Sequence, residues 1–364
     1  MEFKEIEGGV CAAKGFMASA AKANIKYKDR YDMAMIFSKV PAVSAGTYTT
    51  NLVKAAPVLW DREITDKDID VNAIIINSGI ANACTKDEGK RYCKESAISA
   101  AKELLISENS ILLASTGVIG MQLPIDRICE GIKTLSKGLE SSNEAANNAA
   151  RAIMTTDTVP KEIAIEFELS GKTVKMGGMC KGSGMIHPNM CTMLGFITTD
   201  VNISKELLLK ALRDDVVDTF NMVSVDGDTS TNDSLIILAN KMAKNPEIND
   251  VNSNDYKIFK AALNYITTAL SKMIAGDGEG ATALFEVVVK GAMTKDGART
   301  LAKSVVTSSL TKAAVFGHDA NWGRILCALG YSGEKFDPDN MELYFESEFG
   351  SILIYKDGVS VGFD

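Results

Sequence analysis

Residues 177–200, GGMCKGSGMIHPNMCTMLGFITTD, decide how this chain is to be read. They open as a glycine-rich run in which Gly177, Gly178, Gly182 and Gly184 are expected to take positive φ and bring the backbone close to other groups. One cation, Lys181, sits inside that run. Pro188 then pushes His187 toward extended geometry, Asn189 adds a polar step, and an apolar strand-like run follows over residues 192–198. A charged loop thus feeds a buried strand whose first residue is a hydroxyl, Thr192. A reactive group belongs there only if the chain is meant to begin there.

Outward from this stretch, strand and helix signals alternate. Ile163, Ile165, Phe167 and Leu169 alternate with other residues, turn at Ser170-Gly171 and return through residues 173–176 as a β-hairpin. Residues 143–154 read as a helix, followed by the hydroxyl-rich TTDT of residues 155–158. Further back, residues 34–38 and 48–50 are strand-like, and the β-branched run at residues 72–76 suits a strand buried on both faces. That run is expected to stop at the turn signal Asn77-Ser78-Gly79. A helix over residues 88–105 leads to a second buried strand, residues 111–115, and a glycine-containing loop, residues 116–120. Two strands ending in small-residue loops place backbone N–H groups at one sheet edge, where α/β folds build sites.

Downstream, Ser204 is expected to cap a helix over residues 205–220, and residues 245–255 read as a polar surface connection. Tyr256, Phe259, Leu263, Ile266 and Leu270 recur at helical spacing. GDGEG at residues 276–280 precedes a strand at residues 283–289, a helix at 298–310, a loop at 317–324 and a hairpin of residues 342–347 with 351–356. The expected fold is α/β (α+β), a layered sandwich of sheets and helices. The main catalytic domain is expected over residues 1–275 and a smaller α/β domain over residues 276–364.

Composition narrows the chemistry. The apolar share of 46% and charged share of 24% are those of a globular protein. A net charge of −8 argues against nucleic acid as the partner. No apolar run reaches transmembrane length, and the acidic N-terminus has no signal-peptide core. Seven scattered cysteines without a CxxC pair suggest neither a disulfide framework nor a zinc site, and read as reduced thiols in the cytoplasm. The two histidines, His187 and His318, leave little material for a histidine-based catalytic pair or metal site.

Residues 177–184 miss the P-loop pattern, because the lysine is followed by glycine, and there is no Rossmann fingerprint. The acidic run at residues 221–233 fails as a calcium loop: counted from Asp226, the sixth and twelfth positions are Thr231 and Ile237, where Gly and Glu are needed. Asp226, Asp228 and Asp233 read as loop caps, and Asp319, Asn321 and Arg324 as pins for a second loop. A threonine hydroxyl needs a base. If the Cys191–Thr192 bond were cut, Thr192 would carry an α-amine with a pKa of about 7.7–8.0, able to serve its own side chain. On local sequence alone Thr192 reads as an ordinary threonine at a strand edge. Thr116 and Gly117 suit either an oxyanion site or a tight turn. Glu279 is either a substrate-orienting carboxylate or a turn acid, and Lys181 either a carboxylate anchor or a surface charge.

Taken jointly, these segments resemble the ornithine acetyltransferase family of arginine biosynthesis. The resemblance is nearly colinear from Gly9 to about Asp357 and includes GVCAAKGF, TTNLVKAAPV, NSGIANACT, ASTGVIG, IMTTDT, KGSGMIHPNMCTML, VDGDTSTND, GDGEGAT and GHDANWGRI. It implies self-cleavage between Cys191 and Thr192, giving an α chain of residues 1–191 and a β chain of residues 192–364, with Thr192 as nucleophile. It further implies an oxyanion hole at Thr116 and Gly117, and substrate contacts at Thr158, Lys181 and Glu279.

The implied reaction takes acetyl from N2-acetylornithine onto Thr192 and passes it to glutamate, a ping-pong scheme. Bifunctional members also accept acetyl-CoA. The implied assembly is a heterotetramer of two α and two β chains in the cytoplasm, with no cofactor, metal, nucleic acid or membrane. The chain departs from the family pattern at Cys191 (usually Ala), Ile80 (more often Asn) and Ala283 (often Lys), and it stops at Asp364, without the family's usual tail. Two other readings stay open: an amidohydrolase using the same threonine, and an inactive family member kept as an assembly partner.

Overall fold

A computed structural model describes residues 3–187 and 193–362, so the expectations placed on Cys191 and Thr192 lie outside the described residues. The chain divides into two units, Met1–Glu279 and Gly280–Asp364. The first contains the strands β1 (Lys4–Ile6), β2 (Phe16–Ala21), β3 (Met33–Tyr48), β4 (Val71–Ile80), β5 (Ile111–Val118), β6 (Lys161–Leu169), β7 (Lys172–Lys181), β8 (Leu194–Thr199) and β9 (Ser234–Ala239). Its helices are α1 (Ala56–Thr65), α2 (Lys86–Leu104), α3 (Ile125–Lys137), α4 (Asn143–Ala152), α5 (Lys205–Val216) and α6 (Asn254–Gly276).

The strands run in the order β1-β6-β7-β8-β9-β3-β4-β5, with β2 on β3. The long β3 serves two sheets. Its first half pairs with β2 and β4, its second half, from Val43 to Tyr48, with β9, and the register shifts between Phe37 and Ala42. Pro41 lies in that shift, where a missing N–H donor is tolerated.

Side chains alternating along each strand sort into separate cores. Ile36, Ile74, Ile76, Phe196, Ile236 and Leu238 fill the space between the two sheets, together with the alanines of α4. Met33, Met35 and Ile75 point the other way, into a core shared with α2 and α3. Ile197, Leu235 and Ile237 face α5 and α6. The result is four layers, helix–sheet–sheet–helix. Each large apolar side chain so buried contributes roughly 1.5–3 kcal/mol.

Local chemistry starts the helices, at Ser204 as expected and at Ser253 as the structure adds. The Ser204 hydroxyl accepts from the Leu207 N–H at 3.4 Å and the Ser253 hydroxyl from the Tyr256 N–H at 3.1 Å. α5 stops at Val216, short of residue 220, and Phe220 is buried in a following 3-10 turn.

Two expectations near residue 79 are corrected. β4 does not stop at Asn77, nor β5 at Ser115: the parallel ladder continues through Ser78–Thr116, Gly79–Gly117 and Ile80–Val118 pairs. The polar residues that resemble a turn are buried inside the strand because each finds a partner. Asn77 Nδ2 donates to the Ile80 carbonyl, Ser115 Oγ to Asn77 Oδ1, and Ser78 Oγ to the Ala152 carbonyl, at 2.6–2.9 Å.

The glycines at 177–184 also act differently from expectation. None of Gly177, Gly178, Gly182 or Gly184 has a positive φ. What the first of them supplies is space: a Cβ on Gly177 would lie 1.8 Å from the Gly9 carbonyl oxygen.

The second unit holds α7 (Lys295–Thr307), α8 (Ser309–Phe316), α9 (Trp322–Gly330) and a sheet of β10 (Glu342–Ser347), β11 (Gly350–Lys356) and β12 (Val359–Ser360). The helix expected at residues 298–310 is two helices, divided at Ser308, whose hydroxyl accepts from the Thr311 N–H. The expected strand at 283–289 does not form. Phe285, Val287 and Val289 do alternate onto the small core of Leu301, Val305, Ile325, Ala328 and Leu329, but the segment has no strand partner among the described residues. No helix among the described residues is long and apolar enough to cross a membrane.

Candidate active site

Strand ends converge on a cavity of about 390 Å³ in the first unit. Thr116 and Gly117 reach it from the end of β5, Gly79 from the end of β4, Lys181 from the end of β7, and Met193 and Leu194 from the head of β8. Residues 230–233, which lead into β9, complete that side, and Glu279 enters just after α6. Four of the residues singled out in the sequence, Thr116, Gly117, Lys181 and Glu279, therefore line one space. Thr158 does not. Its backbone N–H donates to Asp277 Oδ2 at 3.0 Å and its hydroxyl to Asp277 Oδ1, while Thr155 and Thr156 of the same TTDT run line the cavity.

One wall is backbone. Gly117 has φ 128° and its neighbour across the ladder, Gly79, φ 102°, conformations that disfavour a side chain. A Cβ on Gly117 would sit 2.3 Å from the Gly79 carbonyl carbon. Asn232 ties this edge to the head of β9: its Nδ2 donates to the Ala81 carbonyl at 2.6 Å and to the Ser115 carbonyl at 2.8 Å. The head of β8 thus shares the cavity with these glycine peptide groups.

A buried cluster of charges adjoins the cavity, and Lys181 is its member that lines the space. Lys161, 1% exposed, places Nζ 2.7 Å from Asp157 Oδ1 and 2.5 Å from Asp277 Oδ2. Burial works against its charge, but the two carboxylates outweigh that and raise it above the ordinary lysine range. Burial likewise opposes ionisation of Asp157, yet Lys181 and Lys161 hold its carboxyl below the usual range. The N–H groups of Gly182 and Thr155 also donate to Asp157, at 2.7 and 3.0 Å.

Lys181 is less well served. Its Nζ is 4.0 Å from Asp157 Oδ2, a carboxylate already held by Lys161. Burial lowers it below the ordinary lysine range, and Asp157 and Asp233 recover only part of the loss. An anion entering the cavity would complete its neutralisation. Glu279 is exposed, with its N–H on the Ser183 carbonyl at 3.1 Å. Its side chain crosses Gly184, where a Cβ would lie 2.3 Å from Oε2. A cation and a carboxylate thus face one cavity, an arrangement suited to an amino acid with charges at both ends.

Asp226 and Asp233 were both expected as loop caps, and Lys161 and Asp277 escaped the sequence reading. Asp226 is a loop cap, accepting from the Met185 and Ile186 N–H groups at 2.6 and 2.9 Å. Asp233 is 1% exposed and lines the cavity. Burial pushes its carboxyl well above the usual range, with the Ser230 and Thr49 hydroxyls and the Met193 N–H pulling partly back. Its Oδ2 has no hydrogen-bond partner. The Lys161–Asp277 pair could be found only by its outcome, since its members are 116 residues apart. A four-residue spacing from Asp157 to Lys161 was the one local signal. His187 is a loop residue bonded to Ser224 Oγ at 3.0 Å.

The class so defined is a four-layered α/β protein with a charged cavity at its strand ends. The family model for ArgJ matches residues 17–364, and the chain belongs to that family. It is 50% identical over 349 residues to the arginine biosynthesis bifunctional protein ArgJ 1 of Clostridium acetobutylicum, covering 96% of this chain and 85% of that one. It is also 50% identical over 361 residues to the arginine biosynthesis bifunctional protein ArgJ of Symbiobacterium thermophilum, covering 99% of this chain and 88% of the relative. The crystal structure of arginine biosynthesis bifunctional protein argJ from Bacillus halodurans is 41% identical, with a TM-score of 0.50 over 52% of this chain and 98% of that one.

Proposed function

We propose that the cavity carries acetyl transfer in arginine biosynthesis, from N2-acetylornithine to glutamate, through an acetyl ester on Thr192. The observation that carries this reading is the incompletely neutralised Lys181 in a space that also holds Thr116, Gly117 and Glu279 and borders Met193, the residue after the nucleophile. Membership of the ArgJ family supports the same chemistry.

Self-cleavage of the Cys191–Thr192 bond frees the α-amine of Thr192, which takes the proton of its own hydroxyl. Oγ attacks the acetyl carbonyl of N2-acetylornithine. Thr116 and Gly117 donate to the oxygen as it gains charge. The C–N bond breaks, ornithine leaves with the proton, and acetyl stays on Oγ. The α-amine of glutamate then attacks the ester, and Oγ regains a proton as acetylglutamate departs. Lys181 holds the substrate carboxylate and Glu279 orients the side chain. The threonine contact falls to Thr155 and Thr156, because Thr158 is engaged by Asp277. The working assembly is two α and two β chains in the cytoplasm.

Intact mass of the purified protein tests cleavage directly: two masses parting before residue 192 are expected, and one uncut mass for Thr192→Ala. Incubating the cut protein with N2-acetylornithine and glutamate should yield acetylglutamate. Free acetate as the sole product would make the protein an amidohydrolase. An uncut wild-type chain without either product would leave an assembly partner only.

A further inference from the structure

We propose that Asp233 is the proton carrier between the two halves of the acetyl transfer: it gives a proton to the amine that leaves the donor and takes one from the ammonium of the acceptor. This rests on the acetyl-transfer reading and adds to it a residue with a role of its own.

The need is chemical. An amino acid acceptor reaches the cavity as an ammonium, and a nitrogen without a lone pair cannot attack an ester. The leaving amine has the converse requirement, since it too ends as an ammonium. The Thr192 α-amine handles the proton of its own hydroxyl, so one further proton must come and go in each cycle.

Two observations put Asp233 at that exchange. The first is position, because its chain neighbours hold two sides of the space. Asn232 donates to the Ala81 and Ser115 carbonyls at the glycine edge, at 2.6 and 2.8 Å, and the Ser234 N–H donates to the Met193 carbonyl at the head of β8, at 3.0 Å. The Met193 N–H in turn donates to the Asp233 carboxyl. The second is availability. Among the described residues, Asp61, Glu162 and Asp233 are the carboxyl groups with a buried oxygen that no hydrogen bond satisfies, and of the three only Asp233 lines the cavity. A buried polar atom left open beside a binding space is completed by what enters it. The other titratable groups on this space are Lys181 of β7, Glu279 after α6, and Lys26 and Tyr27 between β2 and β3; of these, Lys181 attracts the Asp233 carboxylate. Burial outweighs that attraction and favours the uncharged acid, which suits a resting enzyme that begins by giving a proton away.

The protons balance over the cycle. In the donor half, Thr192 Oγ adds to the acetyl carbon, the C–N bond breaks, and the nitrogen keeps its one hydrogen. It gains a second from the hydroxyl by way of the α-amine and a third from Asp233 Oδ2, and ornithine departs as an ammonium. In the acceptor half, the ammonium of glutamate returns one proton to Oδ2, its freed lone pair attacks the ester carbon, and the C–Oγ bond breaks. A second proton goes to Oγ, and the third stays on the new amide. Asp233 ends protonated, as it began.

The test uses the full-length, cut protein and its Asp233→Asn variant, with N2-acetylornithine as donor and either glutamate or hydroxylamine as acceptor. Hydroxylamine is uncharged at neutral pH and has no proton to lose before it attacks. The variant should release ornithine and form acetohydroxamate at nearly the wild-type rate, because the third proton joins ornithine after its bond has broken. Acetylglutamate formation should fall about a hundredfold and recover as pH rises and glutamate sheds its proton to water. Equal losses with both acceptors, or undiminished transfer to glutamate, would overturn the assignment while transfer itself stands. A wild type that forms neither product would bring down the transfer reading and the assignment with it. Where the asparagine variant is not cut, Thr49→Val serves instead: it withdraws a donor to Asp233 from outside the cavity and so raises that carboxyl further. The acid limb of transfer to glutamate should then move to higher pH while that of transfer to hydroxylamine stays, and a shared shift or none would overturn the assignment.

Discussion

The glycine edge of the cavity and the charged cluster that adjoins it solve the same problem by opposite means. At the ends of β4 and β5, side chains are removed, so Gly79 and Gly117 present bare peptide groups. At the end of β7, charges are packed in: Asp157, Lys161, Asp277 and Lys181 hold one another where water is scarce. The glycine edge fails through anything added and the charged cluster through the loss of a carboxylate. A dipole of peptide groups is indifferent to pH, whereas the lysine that shares the cavity with it is not.

Asp157→Ala should have the largest effect. It strips Lys181 of its carboxylate, leaves Lys161 with Asp277 alone and orphans the Gly182 N–H, costing about 3–5 kcal/mol as for other broken buried pairs. Urea unfolding measures this, and a loss no greater than that of a surface ion pair would sink the account of the charged cluster. Gly117→Ala is next. The strained φ alone costs about 1–3 kcal/mol, and the clash with Gly79 should part the strand ends, so acetyl transfer falls even in protein that stays folded. Normal transfer by this variant would remove the backbone wall from the mechanism.

Lys181→Met has the smallest effect on stability. Because the folded lysine lies below its unfolded value, its charge is a cost that is full below the folded value and disappears as pH rises toward about 10.4. The methionine variant should therefore be about 1 kcal/mol more stable near neutrality, with the advantage shrinking as pH rises. Transfer should collapse because the carboxylate anchor is gone. A variant that is less stable at neutral pH, or that keeps its KM for glutamate, would show Lys181 to be well paired after all.

What could be read beforehand depended on the distance over which each signal acts. Alternation marked β6 and β7, the cap at Ser204 marked α5, and apolar spacing from Tyr256 to Leu270 marked α6, because these are neighbour effects within a few residues. The meeting of Thr116, Gly117, Lys181 and Glu279 was legible only through joint resemblance to a family, since no local rule brings the ends of β5 and β7 together with the residues after α6. The double use of β3 stayed hidden, because Pro41 within a strand reads as an interruption rather than a change of sheet. Asn77 and Ser78 looked like a turn for the same reason: their partners Ser115 and Ala152 are distant in the chain. The strand expected at residues 283–289 had correct alternation but no strand neighbour among the described residues, and a ladder needs two.

The strand order has a further consequence for a chain opened before residue 192. β8 and β9 come from the later piece, yet they lie between β7 and β3 of the earlier one, hydrogen-bonded on both flanks. The run β7-β8-β9-β3 is complete in neither fragment, so neither can form that sheet alone. The break would be a wound without separation: the fragments stay mutually templated, and once pulled apart they can regain shape only in each other's company.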